Sequence, residues 1–179
     1  MWRALFLLAL AAAVLSAVIA SAALLQVNAG VLQVFVLPAN IPVPIPQECK
    51  AAGMSFTWSQ VITGTAGNDR LVGTDGPDLI LGGDGNDTID GKGGNDCIVG
   101  GPGKDTLRGG GGDDVILGGE GNDQIRGEGG NDRLYGGPGD DDIDGGGADD
   151  YINGGDGQDR CRGGGGNDTV VACETIMRG

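Results

Sequence analysis

Apolar side chains follow two patterns along this chain. Between Ala4 and Leu25 they crowd into an uncharged run, ALFLLALAAAVLSAVIASAALL. From Gly64 to Val171 an aliphatic residue instead returns at every ninth position: Leu71, Ile80, Ile89, Ile98, and onward to Val170, with Cys161 holding one place in the series. The stretch divides into twelve nine-residue units without an insertion, from GTAGNDRLV and GTDGPDLIL to GGDGQDRCR and GGGGNDTVV. A fixed period of this kind marks a repeat architecture. Position one is Gly in all twelve units, position four is Gly in eleven, and position six is Asp in all twelve. Position eight is Leu, Ile or Val in eleven, and position two is Gly in eight.

The columns predict local structure. The first six residues of a unit are turn material, because Gly at positions one, two and four permits positive φ and close backbone approach. The last three, such as Thr88, Ile89 and Asp90, form a minimal strand. Side chains alternate across a strand, so position eight points one way and positions seven and nine the other. Positions seven and nine are largely polar (Arg70, Thr88, Asp90, Arg108, Arg126, Asp144, Arg162). Position eight is therefore the inward one. Turn, strand, turn and strand close one flattened coil of eighteen residues, and twelve units give about six coils of an all-β parallel solenoid.

Composition sharpens this picture. The 39 glycines raise the alternatives of collagen and disorder. Collagen requires Gly at positions one, four and seven, and position seven is never Gly. A disordered linker has no reason to hold an aliphatic residue at constant phase. The net charge of -14 excludes nucleic acid as a natural partner, since phosphate is repelled. The chain has no histidine, and so lacks the commonest general base and the commonest zinc ligand. Its four cysteines lack the CxxC pairing of a zinc site.

The repeat has an energetic problem. One aliphatic side chain per nine residues is a thin core against the entropy of ordering a glycine-rich backbone. A regular coil also stacks each Asp over the Asp two units on, about 4.8 Å away along the roll. Columns of like charge at that spacing repel. A cation between the aspartates resolves both difficulties. The donors are hard oxygens, carboxylate and backbone carbonyl, which suits Ca2+. Mg2+ fits less well because it demands tight octahedral geometry and keeps its waters.

The unit resembles the RTX, or haemolysin-type, calcium-binding repeat, GGxGxDxUx with U a large aliphatic residue, across Gly64–Val171. The resemblance implies a right-handed parallel β-roll with calcium ions between the turns of successive coils. It implies that the side-chain ligands are the position-six aspartates: Asp69, Asp78, Asp87, Asp96, Asp105, Asp114, Asp123, Asp132, Asp141, Asp150, Asp159 and Asp168. Turn carbonyls supply the other ligands. Stacked turns leave room for at most about ten ions. Several units depart from the pattern. Thr65 and Thr74 replace the second Gly, Lys92 and Glu128 occupy the same column, Pro77 and Lys104 precede a ligand Asp, and Ala148 replaces the fourth Gly. The middle units fit best and the first two least.

The ends carry separate signals. Arg3 and the apolar run after it describe a signal peptide, with small-residue cleavage sites after Ala22 and Ala29. The same run, continued by VLQVFVL, is long enough to serve as a membrane anchor. Both alternatives place the remainder outside the cytoplasm. Residues 30–63 read as a Pro-rich linker and N-terminal cap. Within it Phe56, Trp58, Val61 and Ile62 can form a strand over the first coil. Residues 172–179 read as a C-terminal cap, with Ile176 and Met177 as a lid. In an exported chain four cysteines point to two disulfides. Of three possible connectivities, Cys161 with Cys173 pins the lid. That pairs Cys49 with Cys97, which a strand from the N-terminal segment can reach.

Function follows from what accompanies the repeat. The roughly thirty residues between export segment and repeat are too few for a catalytic domain, and no nucleophile–base pair is visible. Pairs such as Asp113–Asp114 and Asp149–Asp150 read as turn residues and ligands rather than as a glycosidase dyad. The expectation is a non-enzymatic, secreted calcium-binding roll with a structural, cell-surface or matrix role. The alternatives are a membrane-tethered adhesin built on the same repeats and an enzyme acting on polysaccharide.

Overall fold

The computed structural model describes residues 46–52 and 60–177. The export segment, most of the Pro-rich linker, Phe56 and Trp58 lie outside the described residues. Among the described residues no helix is long and apolar enough to cross a membrane. The elements of the described residues are a short helix α1 (Gln47–Ala51) and fourteen strands: β1 (Gln60–Thr63), β2 (Arg70–Val72), β3 (Asp78–Leu81), β4 (Thr88–Gly93), β5 (Cys97–Pro102), β6 (Thr106–Gly111), β7 (Val115–Glu120), β8 (Gln124–Gly129), β9 (Arg133–Pro138), β10 (Asp142–Gly147), β11 (Tyr151–Asp156), β12 (Arg160–Gly165), β13 (Thr169–Val171) and β14 (Thr175–Met177).

The strands form two seven-stranded sheets, one ordered β1-β3-β5-β7-β9-β11-β13 and the other β14-β12-β10-β8-β6-β4-β2. Among the described residues every strand pairing is parallel, and within the repeat each strand pairs with the one eighteen residues on, as Ile80 with Ile98 and Leu107 with Ile125. This is a parallel β-solenoid of about six turns, a β-roll. Even-numbered units build the first sheet and odd-numbered units the second. Position-eight residues from both sheets meet in one core, from Leu71 to Cys161, with Ile62 of β1 added at the start. Ile98, Ile116, Ile125, Leu134, Ile143 and Ile152 are fully buried.

The strands are longer than the sequence pattern predicts. β4 to β12 each span six residues, covering positions seven to nine and positions one to three of the next unit. The parallel ladder carries on through the first glycines, with Gly82 N donating to Val99 O at 2.8 Å and Gly73 N to Asp90 O at 2.7 Å. The turn proper is only positions four to six. Glycine therefore serves a ladder that bends as well as a loop.

Two further differences concern the caps. Position seven does not face solvent throughout. On the even-unit sheet Leu79, Cys97 and Val115 are buried together with Cys49 of α1, and Ala52, Val61, Leu81 and Tyr135 pack against them. The Cys49–Cys97 disulfide is thus reached by a helix and not by a strand. At the other end Cys161 bonds Cys173. The segment after it does not form a lid: β14 continues the odd-unit sheet beside β12, and Ile176 remains 56% exposed.

Candidate metal centre

The position-six aspartates line the two turn edges of the roll in two columns. Asp69, Asp87, Asp105, Asp123, Asp141 and Asp159 stand on one edge, and Asp78, Asp96, Asp114, Asp132, Asp150 and Asp168 on the other. Each column is wired by its own carboxylates. The backbone N–H of every Asp from Asp69 to Asp150 donates to Oδ1 of the Asp eighteen residues on, at 2.7–3.0 Å. Glu174 closes the first column, accepting from Asp159 N at 2.7 Å through Oε2. One oxygen of each Asp therefore satisfies an amide that the tight turn would leave unpaired.

The second oxygen is different. Oδ2 of Asp87, Asp96, Asp105, Asp114, Asp123, Asp132, Asp141, Asp150 and Asp159 is buried with no hydrogen-bond partner. A buried, unpartnered carboxylate oxygen is costly, and nine in two columns require a compensating group. Each lies over the position-one glycine of its own unit. A Cβ on Gly82, Gly100, Gly118 or Gly136 would collide with that oxygen and with the position-one carbonyl of the next coil. The glycine column thus keeps open a small cradle of carboxylate and carbonyl oxygen. Among the described residues no three Asp, Glu, Cys or His side chains converge. A metal held here would draw on one or two carboxylates and on backbone carbonyls, a donor set that fits a hard cation such as Ca2+.

Electrostatics support the same fit. Burial pushes the Asp96, Asp123 and Asp132 carboxyls up to about 7 and Asp114 to about 8; the donated backbone N–H lowers each, and neighbouring carboxylates raise it again. Asp141 and Asp150 rise to about 6 for the same reasons in the same order. Asp105 and Asp159 are also raised. Without a cation Asp114 and a share of Asp96, Asp123 and Asp132 hold protons at neutral pH, and a divalent ion would displace them.

Not all twelve aspartates are equivalent. Oδ2 of Asp69 and of Asp78 already has donors, from Thr65 and Thr74. Asp168, half-buried in the last unit, accepts from Asp150 N, and no further repeat unit lies above it in the described residues.

A second set of ladder residues was present in the sequence but unread. Position five is Asn or Asp in nine of twelve units. Its Oδ1 accepts the position-five N–H of the next coil, as in Asn86 N to Asn68, Asn131 N to Asp113 and Asn167 N to Asp149, at 2.7–2.8 Å. These bonds run opposite to the Asp ladder. The signal was the enrichment of the column in short amides and acids, which are the side chains that satisfy turn backbone.

From unit three onward every residue at positions two and four has positive φ. The non-glycines Lys92 (77°), Glu128 (76°) and Ala148 (79°) are held there by the ladder around them. A β-carbon is disfavoured in this region by about 1 kcal/mol or more. Ala148→Gly is therefore expected to stabilise the calcium-saturated roll by about 1 kcal/mol, read as a raised urea midpoint. An unchanged or lowered midpoint would show that Ala148 bears no strain.

The model of the RTX calcium-binding nonapeptide repeat matches residues 63–96, 99–134 and 135–170. No curated protein matches the chain. The matched segments cover well over half of the sequence and coincide with the coils that carry the two aspartate columns, so the chain belongs to the RTX calcium-binding nonapeptide-repeat family.

Proposed function

We propose that this protein is an exported calcium-binding β-roll with a structural, cell-surface or matrix role, whose coils order as calcium fills the turns outside the cell. The observation that carries this reading is the set of nine buried Oδ2 atoms without a partner. Each marks one place for a cation, so nine ions is the count we propose, close to the ten allowed by the number of stacked turns. The position-six aspartates from Asp87 to Asp159 act as side-chain ligands. Binding free energy becomes folding free energy when only the folded state presents the site. The role is binding rather than catalysis. The two disulfides fit an oxidising compartment, and the apolar run after Arg3 fits export.

The test is a calcium titration of the disulfide-bonded chain from a chelator, followed by far-UV circular dichroism. We expect a cooperative gain of β signal with calcium and none with magnesium. Asp123→Asn refines it. The amide keeps an oxygen for the Asp105 N–H but removes the charge at the cradle. This variant is expected to bind one ion fewer. Its metal-free form, relieved of a buried carboxylate, is expected to be more stable than the parent by about 1–3 kcal/mol. A spectrum indifferent to calcium, or an Asp123→Asn variant that keeps the full ion count, would remove the reading.

The apolar run Ala4–Leu25 also supports a tethered form, in which the same roll serves as an adhesin or interaction module on the outer face of a membrane. N-terminal sequencing of the exported protein separates the two. A start at Ala23 or Gly30 means a released roll, and a retained Met1 means a tethered one.

A further inference from the structure

The first coil departs from the others at the same point on both turn edges. In unit one the Thr65 N–H and Oγ1 both donate to Asp69 Oδ2, at 2.7 and 2.9 Å. In unit two Thr74 does the same to Asp78 Oδ2, at 2.6 and 3.0 Å. The threonine oxygens in turn accept from the position-four amides Gly67 N and Gly76 N, each at 3.2 Å. In later units the position-four amide instead bonds the position-three carbonyl of the next coil, as Gly85 N does with Pro102 O and Gly103 N with Glu120 O. The backbone differs accordingly. Positions two and four have positive φ from Gly83 and Gly85 onward, whereas Thr65, Gly67, Thr74 and Gly76 do not.

We infer that Thr65 and Thr74 close the first two cradles to calcium. The first coil is then held by hydroxyls, and metal enters only from Asp87 onward. This inference rests on the calcium reading above and restricts it. In the later units Oδ2 has no donor and faces carbonyl oxygen, an environment that attracts a cation. In the first coil the same oxygen receives an N–H and an O–H, two donors whose positive ends point to where the cation would sit. A backbone N–H cannot coordinate a metal, and the charge on Asp69 and Asp78 is already compensated by charge-assisted hydrogen bonds. The threonines also fix the local turn through an internal hydroxyl bridge, a conformation that needs neither positive φ nor an ion.

The placement gives the device a use. β1 caps the even-unit sheet next to β3 of unit two, and the Cys49–Cys97 disulfide ties α1 to the strand beyond it. The coil with the least need of metal thus lies between the β1 cap and the second coil, which the disulfide ties to α1. It can present paired strand edges on which the calcium-requiring coils add in order, toward the C-terminus.

The experiment counts calcium ions per disulfide-bonded chain by equilibrium dialysis. Thr65→Gly/Thr74→Gly restores the repeat pattern at position two and is expected to bind at least one more ion than the parent, up to the limit of about ten set by the stacked turns. Thr65→Ser/Thr74→Ser keeps both hydroxyls and is expected to match the parent. Asp114→Asn is expected to bind one fewer. An unchanged count in the double glycine variant overturns the inference while leaving the calcium reading in place, provided the parent binds calcium and Asp114→Asn loses an ion. A gain of ions in the double serine variant also overturns it. A parent that binds no calcium overturns both readings.

Discussion

At pH 5 the calcium-free chain is expected to hold more β structure than at pH 8, and saturating calcium is expected to reverse that order. The sign follows from the aspartate columns. Carboxyls that ordinarily titrate at 3.8 titrate at about 6 to 8 in the metal-free roll, because burial disfavours their charged form. A raised pKa means that the folded state binds protons more tightly than the unfolded chain. The protonated roll is then favoured fully below about pH 4, and that advantage is lost as pH rises through the window from about 6 to 8. Calcium inverts the dependence, since it binds the ionised carboxylates and must displace the same protons. Far-UV circular dichroism from pH 4.5 to 8.5, with chelator and with excess calcium, reads both curves. Parallel curves in the two conditions would mean that the aspartates carrying the protons are not those that hold the metal. Proton release on calcium addition at pH 7, measured in weak buffer, gives a second reading of the same coupling.

Replacing Cys49 and Cys97 by serine is expected to be the most destabilising change outside the aspartate columns. The disulfide closes a loop of 48 residues, against 12 for Cys161–Cys173. Loop-closure entropy alone gives about 4 kcal/mol for the first and about 3 kcal/mol for the second. The first bond also holds α1 over Leu79 and Val115, which are buried on the outer face of the even-unit sheet. Losing that cover exposes an apolar patch at the N-terminal end of the roll and adds to the cost. Urea unfolding in saturating calcium ranks the two double-serine variants. A larger loss for Cys161→Ser/Cys173→Ser would assign the main staple to the C-terminal end instead.

How far the site could be read from sequence depended on the residue. Asp87 to Asp159 stood out by phase alone, because twelve aspartates at one position of a nine-residue repeat are stacked by any regular coil. That they are unequal was not legible. Thr65 and Thr74 were visible as departures from Gly, but their donation to Asp69 and Asp78 requires the turn geometry that folds each hydroxyl back four residues. The opposed ladders, Oδ1 of Asp pointing down the roll and Oδ1 of the position-five Asn or Asp pointing up it, were equally hidden. Each bond joins residues eighteen apart, and its direction is set by side-chain rotamers rather than by residue type.

The repeat pattern dictates the period, the parallel β-roll, the inward position eight and the two aspartate columns. These follow from local sterics: glycine tolerance of positive φ, alternation along a strand, and a repeat length that admits no insertion. It also anticipated the strain at Ala148, since only the backbone conformation of its own turn is involved. The tertiary structure alone decided which carboxylate oxygens are left without a partner and that Cys97 is buried beneath α1. It also decided that Ile176 extends a sheet instead of closing the core. Each of these depends on which groups arrive from a neighbouring coil or from the cap, and that is settled only when segments 18 or 48 residues apart come into contact.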